Sequence, residues 1–178
     1  MLQIDNTVLL IIDIQGKLAS LMHKKDRLFE NTERILRAAK VLGLEVICTE
    51  QYPDGLGATV PQIAEHVDVE PISKLAFSCC GEEAFQTALK QTGRKQVLIA
   101  GIETHICVYQ TTMDLLADGY QVYVLTDAVS SRTKANRKLG LERMKEAGVT
   151  HTSVEMALFE MLKIAKGDQF KEIARIVK

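Results

Sequence analysis

Gln96-Val97-Leu98-Ile99-Ala100-Gly101-Ile102-Glu103-Thr104-His105-Ile106-Cys107 is the stretch from which the fold can be read. Gln96 to Ala100 is aliphatic and rich in β-branched residues, and it ends at a glycine. That pattern predicts a buried strand leaving a sheet. His105 to Asp118 reads as a helix closed by Gly119. Cys107 therefore falls at a strand-to-helix junction, near backbone N–H groups that have no intrahelical partner. The positive end of the helix dipole favours a thiolate there.

The same alternation extends in both directions. Val8–Ile12, Leu44–Thr49 and Gln121–Thr126 read as strands; Val67–Ile72 and Val149–Thr152 read as short ones. Helices are expected over Arg27–Leu42, where Gly43 supplies the stop, and over Glu82–Gln91, Thr133–Ala147, Val154–Ala165 and Phe170–Val177. Strand and helix in alternation predict an α/β fold: a doubly wound, mostly parallel six-stranded sheet with helices on both faces. No domain boundary or internal repeat is visible, so residues 1–178 read as one domain. The longest stretch without a clear element, Glu50 to Pro61, has the turn chemistry of a functional loop.

Composition narrows the function classes. Lys and Arg number 22 against 23 Asp and Glu, a balance that argues against a nucleic-acid partner. No apolar run approaches a membrane span, and no basic n-region or cleavage site precedes Val8. A cytoplasmic protein with reduced thiols is the expectation. The four cysteines, Cys48, Cys79, Cys80 and Cys107, form no CxxC pair, so zinc ribbons and thioredoxin-like motifs are excluded. There is no GxGxxG after the first strand and no phosphate-binding P-loop, and no spacing of His, Cys, Asp or Glu asks for a metal. No cofactor is expected.

In a doubly wound sheet, ligands bind outside the carboxyl ends of the strands. Asp13, Lys74 and Cys107 fall at the ends of the first, third and fourth strands. An acid, an ammonium and a thiol in one cleft form a coherent nucleophilic site. Asp13 would accept the thiol proton, and Lys74 would lower the cysteine pKa. The thiolate would attack a carbonyl to give a thioester, with backbone N–H groups holding the oxyanion. His105 lies too close in sequence to face Cys107 across a helix start. His23, His66 and His151 read as surface or packing residues.

Asp13-Ile14-Gln15, Lys74 and Gly101-Ile102-Glu103-Thr104-His105-Ile106-Cys107-Val108 resemble the signature of the isochorismatase-like cysteine hydrolases. That superfamily includes nicotinamidases, N-carbamoylsarcosine amidohydrolases and ureidoacrylate amidohydrolases. The resemblance covers nearly the whole chain. It is strongest to the isochorismatase domain-containing branch, through Thr49-Glu50-Gln51-Tyr52-Pro53, Gly55-Leu56-Gly57, Thr59-Val60-Pro61, Phe77-Ser78, Thr126-Asp127-Ala128 and Ser130-Ser131-Arg132. It implies an Asp13, Lys74, Cys107 triad and a non-proline cis peptide between Ile102 and Glu103. It also implies an oxyanion hole from the N–H groups of Glu103 and Cys107, a strand order 3-2-1-4-5-6 and a homo-oligomer. Gln15, Gln51, Tyr52 and Phe77 are the candidate substrate-binding residues. The histidines that hold a metal in nicotinamidases are missing after Glu50, and Cys107 itself argues against the vinyl ether of isochorismate. The expectation is therefore hydrolysis of a small amide or a related non-peptide C–N bond. A catalytically idle interaction module and a redox-sensing thiol are the alternatives.

Overall fold

The computed structural model describes residues 1–178 and contains one six-stranded sheet. Its strands are β1 (Thr7–Ile12), β2 (Glu45–Gln51), β3 (Ile72–Lys74), β4 (Gln96–Ile102), β5 (Gln121–Ser130) and β6 (Thr150–Thr152). All pairings are parallel, in the order β3-β2-β1-β4-β5-β6, which is the α/β architecture that the sequence predicts. The helices are α1 (Gly16–Ser20), α2 (Lys25–Leu42), α3 (Pro53–Leu56), α4 (Pro61–Ala64), α5 (Glu83–Gln91), α6 (Cys107–Ala117), α7 (Lys134–Glu146), α8 (Val154–Leu162) and α9 (Asp168–Ile176).

Alternate strand residues go to opposite cores, as the period-two pleat requires. Val8, Leu10, Ile12, Val97, Ile99 and Val124 pack with Phe85 of α5, Val108 of α6 and Met144 of α7. Leu9, Ile11, Leu98, Ala100 and Leu125 pack with Leu28 and Ile35 of α2, Leu158 of α8 and Ile173 of α9. Burial on both faces explains why the central strands read as unbroken apolar runs. Each such side chain contributes about 1.5–3 kcal/mol relative to exposure.

Several boundaries differ from the sequence-based expectation. The third strand lies over Ile72–Lys74, not Val67–Ile72, so Lys74 is its last residue and pairs with Gln51. The stretch expected to lack structure holds the short helix α3. Helix α6 starts at Cys107 itself, two residues after His105, and α8 stops at Leu162, where Lys163 takes a positive φ of 63°. β5 runs on to Ser130, and its register with β4 shifts between Ile99 and Gly101.

The chain leaves β1 toward β2 and β3 on one side, and leaves β4 toward β5 and β6 on the other. The crevice between the carboxyl ends of β1 and β4 is the switch point where such sheets bind ligands. Gly101 permits that approach. Its φ is +134°, and a Cβ there would sit 2.2 Å from the Ile12 carbonyl oxygen.

Candidate active site

Asp13 follows β1 in the left-handed conformation, φ 54°, and is 2% exposed. Its N–H donates to Thr49 O (3.2 Å), and its Oδ1 accepts from Thr49 Oγ1 (2.8 Å), so the end of β2 fixes both backbone and carboxylate. Lys74 reaches across β2 from β3, with its side chain fully buried. Its Nζ lies 2.7 Å from Asp13 Oδ2. The ammonium protons have other acceptors as well. They meet Gln51 Oε1 (2.7 Å), Phe77 O (3.1 Å) and Ala76 O (3.2 Å). Asp13 Oδ2 and the Lys74 ammonium thus form a close ion pair inside the protein. A buried ion pair costs desolvation and is kept only where geometry and extra hydrogen bonds offset it. Gln51 completes the clamp by donating through Nε2 to Leu75 O (2.8 Å).

Cys107 is the first residue of α6 and lies on the wall of a cavity of about 260 Å³ with Asp13, Gln51, Phe77, Ile102 and Glu103. Burial, the Asp13 charge and a hydrogen bond to Asp13 push the thiol up to about 12, and Lys74 offsets only part of this. Lys74 lowers the thiol as expected, but burial and the Asp13 charge outweigh it. At neutral pH Cys107 is therefore a thiol. The N–H groups of Glu103 and Cys107 donate to no protein acceptor, while the neighbouring N–H of Thr104 is bonded to Ser130 O (2.8 Å). The Ile102–Glu103 peptide is cis. The buried Glu103 carboxylate accepts from Arg132 Nε (3.0 Å to Oε1) and from the Arg132 N–H (3.0 Å to Oε2).

The structure gathers Asp13, Lys74, Gln51 and Cys107 at one point, with Phe77 on the rim and 56% exposed. Gln15 also borders the cavity, but its amide is occupied. Nε2 donates to Gln51 O (2.9 Å) and Gly57 O (2.6 Å), and Oε1 accepts from Gln51 N–H (2.6 Å). It ties the loop after β2 to the loop after β1. Tyr52 does not line the cavity; its ring packs over Gly55. His105 bonds Ser131 Oγ through Nδ1 (3.0 Å) and is absent from the cavity wall. Leu18, Leu56, Ile106 and Arg132 line the wall as well, and sequence reasoning assigned them no role. Thr49 and Arg132 fall inside the quoted motifs, but nothing in their spacing says which carboxylate each would meet. No three His, Cys, Asp or Glu side chains converge as metal ligands, and no helix is long and apolar enough to cross a membrane.

Comparison with known proteins places this geometry among relatives. The isochorismatase domain model matches residues 7–156. The secreted isochorismatase effector Isc1 of Phytophthora sojae is 39% identical over 97% of this chain and 85% of its own length. Among solved structures, the MAR1 ribonuclease of Caenorhabditis elegans superposes with a TM-score of 0.92 at 35% identity, over 99% of this chain and 91% of that one. YcaC from Pseudomonas aeruginosa, solved with hexane-2,5-diol and covalent acrylamide, has a TM-score of 0.92 at 28% identity, over 98% of this chain and 90% of that one. YcaC from Escherichia coli, described as an octameric hydrolase of unknown specificity, has a TM-score of 0.92 at 27% identity, over 98% and 88%.

Proposed function

This chain belongs to the isochorismatase family, and on that premise we propose that it is a cysteine hydrolase acting on a small, largely apolar amide or imide. The observation that carries the proposal is the buried Asp13 carboxylate, which lies beside the Cys107 thiol and 2.7 Å from the Lys74 ammonium.

The reaction follows from that arrangement. Asp13 takes the thiol proton as Sγ bonds to the carbonyl carbon, so the high resting pKa does not prevent attack. The carbonyl π electrons move to oxygen, where the free N–H groups of Glu103 and Cys107 hold the charge. Collapse breaks the C–N bond, and protonated Asp13 returns its proton to the departing nitrogen. The acyl group is left as a thioester. Water then gives a proton to Asp13 and its oxygen to the acyl carbon. The C–S bond breaks, and the thiol regains the proton. Lys74, 2.7 Å from Oδ2, holds the Asp13 carboxylate in place between proton transfers.

The cavity supports the substrate class. Leu18, Leu56, Phe77, Ile102 and Ile106 form an apolar wall, and Arg132, bound to Glu103, is the one cation among its lining residues. A volume of about 260 Å³ suits a small molecule. The covalent acrylamide on a relative supports a nucleophile in this fold. The ribonuclease relative raises RNA as a substrate, but a wall this apolar and a chain of near-zero net charge do not suit a polyphosphate. By kinship with the octameric hydrolase, a homo-oligomer is proposed as well.

The test is a panel of primary amides and imides, read by release of ammonia or acid, with an RNA substrate alongside. The expected result is turnover of a small amide or imide that Cys107→Ala abolishes. No turnover across the panel favours an idle module, sulfenic acid at Cys107 without turnover favours a redox sensor, and RNA cleavage lost in Cys107→Ala replaces the amide reading.

A further inference from the structure

A second cavity, of about 110 Å³, opens between the first turns of α2 and α7 and shares no lining residue with the one over Cys107. Lys24 and Arg27 reach it from the start of α2, and Lys134 and Arg137 from the start of α7. Asp127 is its one carboxylate, and Asp127 Oδ1 already accepts the Val154 N–H (3.0 Å) at the start of α8. None of the four cationic side chains forms a salt bridge anywhere in the molecule. Four cations against one carboxylate leave three positive charges without a counter-ion.

This is a built site rather than a loose surface patch. Arg137 is half-buried, and its guanidinium is held by donation from Nε to Val129 O (3.0 Å) and from Nη2 to Thr126 O. Burial and the nearby Arg27 both push the Arg137 guanidinium below its ordinary value, so the two guanidinium groups feel one another. Gathering like charges in a concavity is unfavourable until an anion enters, and it focuses a strong positive potential on that point. Two helices add to it. The N–H groups of Lys25, Asp26 and Arg27 have no acceptor, and α2 has no side-chain cap. The first turn of α7 contributes its dipole from the other side.

We propose that this cavity binds a phosphate dianion, either free inorganic phosphate or the terminal group of a small phosphate ester. The Arg27 guanidinium can offer paired hydrogen bonds to a tetrahedral anion, Arg137 keeps Nη1 for a further one, and the ammonium groups of Lys24 and Lys134 complete the charge. The volume suits one compact anion, not a run of nucleotides.

The experiment is calorimetric titration of the full chain with inorganic phosphate and, separately, with glycerol 3-phosphate, at constant ionic strength set with chloride. Saturable binding is expected in the wild type and in Cys107→Ala. It should weaken by roughly tenfold or more in the double variant Arg27→Ala/Lys134→Ala, which removes two exposed cations. Should that variant fold poorly, the single changes Arg27→Gln and Lys134→Gln serve instead, each weakening binding severalfold. Tighter binding of the ester identifies a phosphorylated metabolite as the source; tighter binding of the free ion identifies inorganic phosphate. No saturable binding of either, or equal affinity in the variants, overturns the site. Single-stranded RNA that binds through Arg27 and Lys134 without displacement by phosphate overturns it too, in favour of a nucleic-acid surface.

Discussion

Cys107 and Cys79 present nearly the same electrostatics and opposite opportunities. Both thiols are pushed up to about 12 by burial and by the Asp13 charge, with Lys74 offsetting part of the shift. Cys79, in the turn Cys79–Gly81, is sealed at 0% exposure; its Sγ lies 3.8 Å from Thr49 Oγ1, and its N–H is taken by Thr111 Oγ1 (2.9 Å). Cys107 is 8% exposed, borders the cavity and keeps its N–H free. A depressed pKa does not mark the nucleophile here. Access, a neighbouring carboxylate and unpartnered N–H donors set Cys107 apart from Cys79, and the proposed mechanism ionises the thiol only as it attacks.

The largest effect that could break this comparison is on turnover. Cys107→Ala should lower kcat/KM by about a thousandfold or more, whereas Cys79→Ala should stay within about tenfold of wild type and cost about 0.5–3 kcal/mol of stability. Steady-state rates and urea midpoints on both variants check this; equal losses of activity would erase the distinction. Next comes Lys74→Met, which leaves the Asp13 charge buried and unpaired. It should destabilise the fold by about 3–5 kcal/mol and remove activity, as read by denaturant titration and the amide assay. Unchanged stability would mean that the ion pair is not what holds Asp13.

A third effect is one of reactivity. Native Cys107 should be alkylated by iodoacetamide at a rate that keeps rising from about pH 7 to about pH 10, while Cys79 stays unlabelled, as followed by peptide mass spectrometry. A plateau below pH 7 would instead show a resting thiolate. A fourth effect concerns all four cysteines. Folding holds Cys48, Cys79 and Cys107 up at about 12 and Cys80 at about 11, whereas an unfolded thiol ionises near about 8.5. Above that value the unfolded chain binds fewer protons than the folded one, so stability falls as pH rises from about 9 toward 12. The urea midpoint should drop between about pH 8 and about pH 10, and it should drop less in Cys79→Ala.

What the sequence discloses follows the length of each element. β1 and β4 are buried on both faces, so their apolar runs are continuous and their ends are legible to within two residues. β3 has three residues and follows Pro71, too short for any period to register, and the reading slid onto Val67–Ile72. Helices α1, α3 and α4 have five, four and four residues and give no amphipathic face. Asp13 and Lys74 are visible because they sit at strand ends, Cys107 because it opens the helix after β4, and the family pattern ties them together. The role of Gln15 was not visible. A motif names the residue but not the direction of its amide, and here the amide bonds the backbone at Gln51 and Gly57. The height of the Cys107 pKa is hidden for the same reason, since it depends on burial and on the charges of Asp13 and Lys74 around the thiol.

The central claim is covalent. An amide substrate found by the panel, mixed with the enzyme and acid-quenched during turnover, should leave an acyl mass on one peptide, the one containing Cys107. That mass should vanish in Cys107→Ala, persist in Cys79→Ala and be released by hydroxylamine as a thioester is. Turnover with no acyl mass on Cys107, or with the mass on another side chain, would contradict the account.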